Sequence, residues 1–267
     1  MDWKPFLITI LASFMVGGCA EMAGDQPADE VSGQTPSHVP ATRQVRQDMD
    51  KASRNAGATS RLPGAKPMQR SESWQERLSS LDHDERRYLE SVNARYFGLL
   101  DFGSAEEQQS QVENGYPTPE EWLAARRMGE SELKDLARKG NPKGVIFYVD
   151  RELDRLAEAR ARVAEKGSEK GDLDPSVARP RAEADVFSTM LMKRTGSPFS
   201  VYLHAAAYRG TRYEREAMAA AILVAAALGD ARAVELAEQI DREGPVDFSV
   251  VVLMQKAMWT DVLAARR

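Results

Sequence analysis

Three short turns of the same kind constrain the fold of this chain most. Gly140-Asn141-Pro142, Gly196-Ser197-Pro198 and Gly229-Asp230-Ala231 each join a glycine to a helix-capping residue and then to proline or alanine. Glycine tolerates the left-handed backbone that ends a helix, and the polar residue with its proline or alanine suits the start of the next one. The sequence therefore predicts tight corners between helices. Gly196 and Gly229 lie 33 residues apart, the length of one two-helix repeat.

The apolar pattern downstream of Trp74 is also helical. Apolar residues recur at intervals of three and four, without a convincing alternating run. Helix starts recur too, each with an acid three residues after a capping residue: Asp82 with Glu85, Ser104 with Glu107, and Thr118 with Glu121. The stretch from Gly167 to Pro180 is poor in apolar residues and indicates an insertion loop. We predict an all-α domain of helical hairpin repeats, a solenoid, over residues 74–267.

Three of the helices have distinct predicted roles. The run from Met218 to Leu228 is apolar all round, which predicts a central helix. The segment 247–267 is expected to be a terminal helix that closes the stack. The helix after Asn141 has one apolar face, formed by Val145, Val149, Leu153, Leu156 and Val163. Its charged residues are expected to form a solvated face: Asp150, Arg151, Glu152, Arg155, Glu158 and Arg162.

The first part of the chain has a different composition. The apolar run from Pro5 to Val16 has the length of a signal-peptide core and is shorter than the roughly 20 residues of a spanning helix. Residues 1–18 are therefore predicted to be an export signal. No aromatic residue occurs from Ala20 to Ser73, which favours disorder. We predict a disordered linker over residues 19–73, either a plain spacer or, around Thr42–Arg54, a segment that folds on a partner.

The one cysteine of the chain closes the segment Val16-Gly17-Gly18-Cys19. This segment resembles the lipobox of bacterial lipoproteins, in which Leu or Val stands three residues before the cysteine and small residues lie between. The resemblance implies that Cys19 is lipidated, that the chain is cut just before it, and that the protein is tethered to a membrane. Ala20 in place of an aspartate implies an outer-membrane lipoprotein that faces the periplasm.

A second resemblance lies in the helical region. The matching residues are Gly196–Leu203, Ala206, Tyr208, Gly210, Glu216-Ala217 and Leu228-Gly229-Asp230-Ala231. They resemble a Sel1-like repeat, a relative of the tetratricopeptide repeat, without the glycine-rich extension usual between its two helices. The resemblance implies stacked helical hairpins.

Composition and motifs argue against several kinds of site. The net charge is −5 and Lys and Arg form no dense block, which disfavours nucleic-acid binding. The three histidines have no Cys or His partner at metal-ligand spacing, and no nucleophile elbow or phosphate loop is present. Asp82-His83-Asp84 is more typical of a helix start than of a metal site, and His204 of a packed residue than of a base. We predict no metal, no cofactor and no catalytic residue.

Aromatic and arginine side chains are the better candidates for function, because both types are enriched at binding hot spots. The loop Tyr116-Pro117-Thr118-Pro119 is expected to present an exposed edge at Tyr116. A second candidate contact zone surrounds Gly210 and comprises Tyr208, Arg209, Arg212, Tyr213 and Arg215.

These features predict a lipid-anchored envelope protein that acts as a scaffold or assembly factor and binds other envelope proteins, since stacked hairpins form extended binding surfaces. One alternative is an inhibitor or immunity lipoprotein against a toxin that acts in the periplasm. Another is an envelope hydrolase that uses Asp82, His83 or an acid in a hidden cleft.

Overall fold

The chain divides into two units, Met1–Ser60 and Arg61–Arg267. The structure, a computed structural model, describes residues 62–71, 73–165, 174–242 and 244–266. The predictions for the export signal, for lipidation at Cys19, for the linker before residue 62 and for the segment Thr42–Arg54 lie outside these residues.

Eleven α-helices and no β-strand occupy the described residues. The prediction of an all-α fold is confirmed, and the packing of successive helices is that of an α-helical repeat solenoid. The helices are α1 (Trp74–Ser79), α2 (His83–Arg95), α3 (Ala105–Glu113), α4 (Pro119–Arg127), α5 (Glu130–Arg138), α6 (Pro142–Glu165), α7 (Pro175–Thr195), α8 (Pro198–Ala206), α9 (Glu214–Ala227), α10 (Ala233–Arg242) and α11 (Phe248–Ala265).

The predicted helix starts are confirmed by their caps. The Asp82 carboxylate accepts hydrogen bonds from the first backbone amides of α2, and the Ser104 hydroxyl does the same for α3. At α4 the Thr118 hydroxyl accepts from the Glu121 amide at 3.3 Å, while the Glu121 carboxylate accepts from the Thr118 amide at 3.0 Å. This reciprocal capping box satisfies two amides that have no partner inside the helix.

Two of the three predicted corners have the expected form. Gly140 and Gly196 adopt positive φ angles of 74° and 55°, and Asn141 and Ser197 cap the helices that follow. At the third corner Gly229 also has a positive φ, 97°, and the buried Asp230 carboxylate accepts from the Arg232 amide at 3.2 Å, but α10 begins only at Ala233. The predicted insertion loop is wrong in its second half, since α7 begins at Pro175 and includes Pro180.

The folded unit begins before the boundary predicted at Trp74. Leu62 is 2% exposed. The Gln69 amide donates to the Glu120 carboxylate at 3.3 Å, and the Gln108 side chain donates to the Gln69 carbonyl at 3.3 Å. The amino-acid composition placed this boundary too late, because residues 62–71 are held by residues far along the chain.

The later helices pack around α9. Residues 217–225 of α9 are all buried, which confirms the predicted central helix. Helix α11 packs on α7 and α9 and so closes the stack as predicted. Its Asp261 pairs with Lys193 of α7 at 3.4 Å. Within the described residues, α11 alone is long and apolar enough to cross a membrane by length and composition, and 22% of it is buried.

Candidate partner-binding surface

The expectation that Tyr116 presents an exposed edge is wrong. Its side chain is 1% exposed, and its ring lies 4.7 Å from the Phe199 ring between centroids. Its hydroxyl donates to the Asp230 carboxylate at 2.8 Å, and the Arg232 guanidinium lies 4.2 Å above its ring. A proline-rich sequence suggested a surface loop, but the long-range partner Asp230 draws the tyrosine inward. Tyr116 therefore belongs to the core and offers no area to a partner.

Two of the arginines predicted at the α8–α9 turn hold the fold together. The Arg215 guanidinium donates to the carbonyls of Ile240, Gly244 and Pro245, which fixes the segment between α10 and α11. The Arg209 guanidinium donates to the Arg95 carbonyl and lies 5.6 Å from the centre of the Phe97 ring. Both side chains are partly buried and are committed to these contacts.

The other three predicted residues remain at the surface. Tyr208 and Tyr213 are partly exposed and Arg212 is exposed. The Arg212 guanidinium lies 4.5 Å above the Tyr213 ring, a cation–π arrangement that holds a charged group and an aromatic face together. We call Tyr208, Arg212 and Tyr213 the turn surface.

A groove of about 310 Å³ adjoins the turn surface at Tyr208. One wall is the first half of α7, which contributes Arg181 and Asp185, and the other is the end of α8. These two charged residues lie four apart and so share one face of the helix. Sequence reasoning missed them, although this spacing could have identified a common face. The groove presents one cation, one anion and one phenol, a set suited to polar side chains of a partner. Its remaining lining residues are Ala178, Ala182 and Ala207.

A serine, a histidine and an aspartate meet beneath this groove. The His204 Nδ1 atom lies 3.0 Å from the Ser188 hydroxyl and 3.7 Å from the Asp185 carboxylate. A catalytic triad needs the serine and the acid on opposite ring nitrogens, whereas here both contact the same one. Ser188 is 0% exposed, and burial lowers the pKa of His204. This geometry packs α7 against α8 and does not form a triad.

A charged cluster lies between α2 and α6. The Asp150 carboxylate accepts from the Tyr96 hydroxyl at 2.9 Å and from the Arg95 guanidinium at 3.0 Å, and Arg95 also pairs with Asp154. Asp150 is 6% exposed, and this burial raises its pKa to about 6. The prediction of a solvated face on α6 is therefore wrong at Asp150, because α2 covers it.

A second charged cluster joins α5, α6 and α7. The Glu183 carboxylate pairs with Lys134 at 2.7 Å and accepts from the Tyr148 hydroxyl. Burial opposes its ionisation, but these hydrogen bonds lower the pKa of Glu183 to about 2. Glu152, also predicted to be solvated, is 3% exposed and pairs with Arg155 at 2.9 Å. Both acids have structural roles in this packing.

The residues proposed for a hydrolase line an open groove of about 710 Å³ between α2 and α4. Asp82 caps α2, while His83 is exposed beside Asp84 at 3.6 Å. Arg127 pairs with Glu85 at 2.7 Å across this groove. Within the described residues, no group of three or more His, Cys, Asp or Glu side chains is arranged to hold a metal ion.

Of the six predicted binding residues, three thus lie at the surface, where Arg212 contacts Tyr213, and the other three make structural contacts. Comparison of the chain with protein-family models, with curated proteins and with solved structures found no match.

Proposed function

We propose that this chain is a lipid-anchored protein of the bacterial envelope that binds other envelope proteins through its helical domain, as a scaffold or assembly factor. The single observation that carries the binding role is the turn surface, where Arg212 lies over Tyr213, a few residues after the groove residue Tyr208. Tyrosine and arginine are enriched among the few residues that supply most of the binding energy of protein interfaces. The segment Val16-Gly17-Gly18-Cys19 supports the anchor, and Ala20 supports an outer-membrane location.

The surroundings of the turn surface favour a rigid contact. Arg160 of α6 donates to the Arg209 carbonyl, and the Glu214 carboxylate accepts from the Gly210 amide at 2.7 Å. These bonds hold the loop that carries Arg212 and Tyr213 before any partner arrives. A surface held in place loses less conformational entropy on binding.

The binding role is tested by photo-crosslinking in cells, with a photoreactive amino acid at Tyr213 and, as the control, at the exposed Lys139. We expect envelope proteins to be captured from Tyr213 and not from Lys139. An untagged second copy of the chain should compete for the captured proteins. Arg212→Glu in this competitor should weaken the competition at least tenfold. The matched charge reversal Arg138→Glu, on an exposed arginine of α5, should not. Equal capture at both positions, or none, would show that the turn surface does not bind a partner. One stoichiometric partner would favour the inhibitor alternative.

The anchor is tested separately by labelling the Cys19→Ala variant with radioactive palmitate. We expect this variant to lose the label and to keep its uncut signal. Label retained on the variant would show that Cys19 is not the site of attachment, whatever the crosslinking result.

A further inference from the structure

The last helix carries an apolar strip along one flank. Helix α11 buries Val251, Gln255, Met258 and Val262, which lie on one face at 3.6 residues per turn. At 100° per residue, four other residues fall within an arc of about 60° beside that face. Phe248, Val252 and Leu263 are 41%, 43% and 46% exposed, and Trp259 is partly exposed. We call Phe248, Val252, Trp259 and Leu263 the apolar strip.

The spacing of the apolar strip is the same in both directions along the helix. Successive members lie 4, 7 and 4 residues apart. In two antiparallel copies of α11, Phe248 therefore lies opposite Leu263 of the second copy while Val252 lies opposite Trp259. A two-fold interface requires this kind of reciprocity, because each patch must match itself.

The charges at the ends of α11 also match in an antiparallel pair. Asp247 caps the beginning of the helix, and the Glu216 carboxylate accepts from its amide at 3.2 Å, so this end is acidic. Arg266 follows the last helical residue, so the other end is basic. Antiparallel pairing places the acidic end of each copy near the basic end of the other.

A repeat stack that is soluble alone normally presents a polar outer face on its terminal helix. On α11 the flank left open by α7 and α9 is apolar. We propose that two copies of this chain pair through antiparallel α11 helices, with the apolar strip as the contact.

A strip of four side chains is small beside the roughly 1,200 Å² of total surface that a stable interface buries. The dimer is therefore expected to be weak, and anchoring of both copies in one membrane would raise their effective concentration.

Disulfide crosslinking of the full chain in membranes tests both the pairing and its direction. The double variant Val252→Cys/Trp259→Cys places two cysteines opposite each other in the antiparallel pair, within the roughly 7 Å between Cα atoms that a disulfide allows. In each single variant the two equivalent cysteines lie about 10 Å apart along the axis. We expect the double variant to give at least tenfold more disulfide-linked dimer than either single variant. Phe248→Cys/Leu263→Cys repeats the test with Val252 and Trp259 intact.

Two controls separate pairing of the helices from lipid anchoring. One is the unsubstituted chain, and the other is the same set of cysteine variants made in a Cys19→Ser background. A dimer in the Cys19→Ser series supports pairing even if Cys19 proves not to be lipidated. Single variants that crosslink as well as the double variant would overturn the antiparallel register. An absence of crosslinks would overturn the dimer, and protection of the single cysteines from a water-soluble maleimide in membranes would then assign the strip to a lipid surface.

Discussion

Helices α6 and α11 depart from the usual distribution of polarity in opposite ways. Helix α6 has a charge-rich sequence, yet it buries Asp150 and Glu152 at 6% and 3% exposure. Helix α11 is among the most apolar segments of the chain, yet Leu253 is 68% exposed. Helix α6 packs against α5, α7 and α8, whereas α11 packs against α7 and α9. The position of a helix in the stack, more than its own polarity, decides which of its residues are covered.

The two helices also differ in how their atypical residues are accommodated. In α6 the buried Asp150 accepts hydrogen bonds from Arg95 and Tyr96, and the buried Glu152 pairs with Arg155, so covering these charges is tolerated. In α11 the exposed apolar residues need no partner for the fold to be stable, but they leave surface that association would cover.

The largest effect is expected from Asp150→Ala. This change removes the acceptor of the Tyr96 hydroxyl and one partner of Arg95, and breaking a buried charge pair in this way costs about 3–5 kcal/mol. Urea unfolding followed by circular dichroism measures the free energy of unfolding. The matched control is Asp154→Ala, which removes the more exposed partner of the same arginine and should cost less than about 1 kcal/mol. Equal losses would show that burial does not distinguish the two acids.

A second comparison lies within α11 itself. Met258 is 2% exposed and Leu253 is 68% exposed. Met258→Ala should lower the free energy of unfolding by about 2–5 kcal/mol because it leaves a cavity against the neighbouring helices. Leu253→Ala, five residues away, should change it by less than about 0.5 kcal/mol. A large loss from Leu253→Ala would mean that this face of α11 is covered after all.

The smallest effect is a pH dependence that arises from the two buried clusters. The folded pKa of Asp150 is about 6 against an ordinary value of 3.8, so the folded state binds more protons and stability falls as pH rises through that window. The folded pKa of Glu183 is about 2 against 4.5, so its contribution is present above 4.5 and is lost as pH falls towards 2. We expect a change on the order of 2 kcal/mol on each side.

Unfolding midpoints at pH 2 to 7 measure both slopes. Asp150→Asn should remove the fall between about pH 4 and 6, and Glu183→Gln the rise between about pH 2 and 4.5. Unchanged slopes in these variants would assign the pH dependence to other groups.

Much of the fold was predictable because its determinants are local. The cap at Thr118 and the corner at Gly196 depend on residues within one helical turn, and both formed as predicted. The binding candidates were predicted less well, because exposure is not a local property. Tyr116 and Arg212 are both hot-spot residue types beside turns, but Asp230, far along the chain, buries the tyrosine. Cys19 lies outside the described residues, so its role remains a prediction.

The sequence by itself determined that residues from Trp74 onward form helices, where many of these helices begin, and that α9 lies at the centre, since capping groups and apolar periodicity act over a few residues. Only the tertiary structure decided that Asp150 is buried, that Arg209 and Arg215 hold loops, and that Val252 and Leu263 are exposed. Each of these depends on which distant helix covers a given face. That choice follows from the free energy of packing the whole chain and is not contained in any one segment.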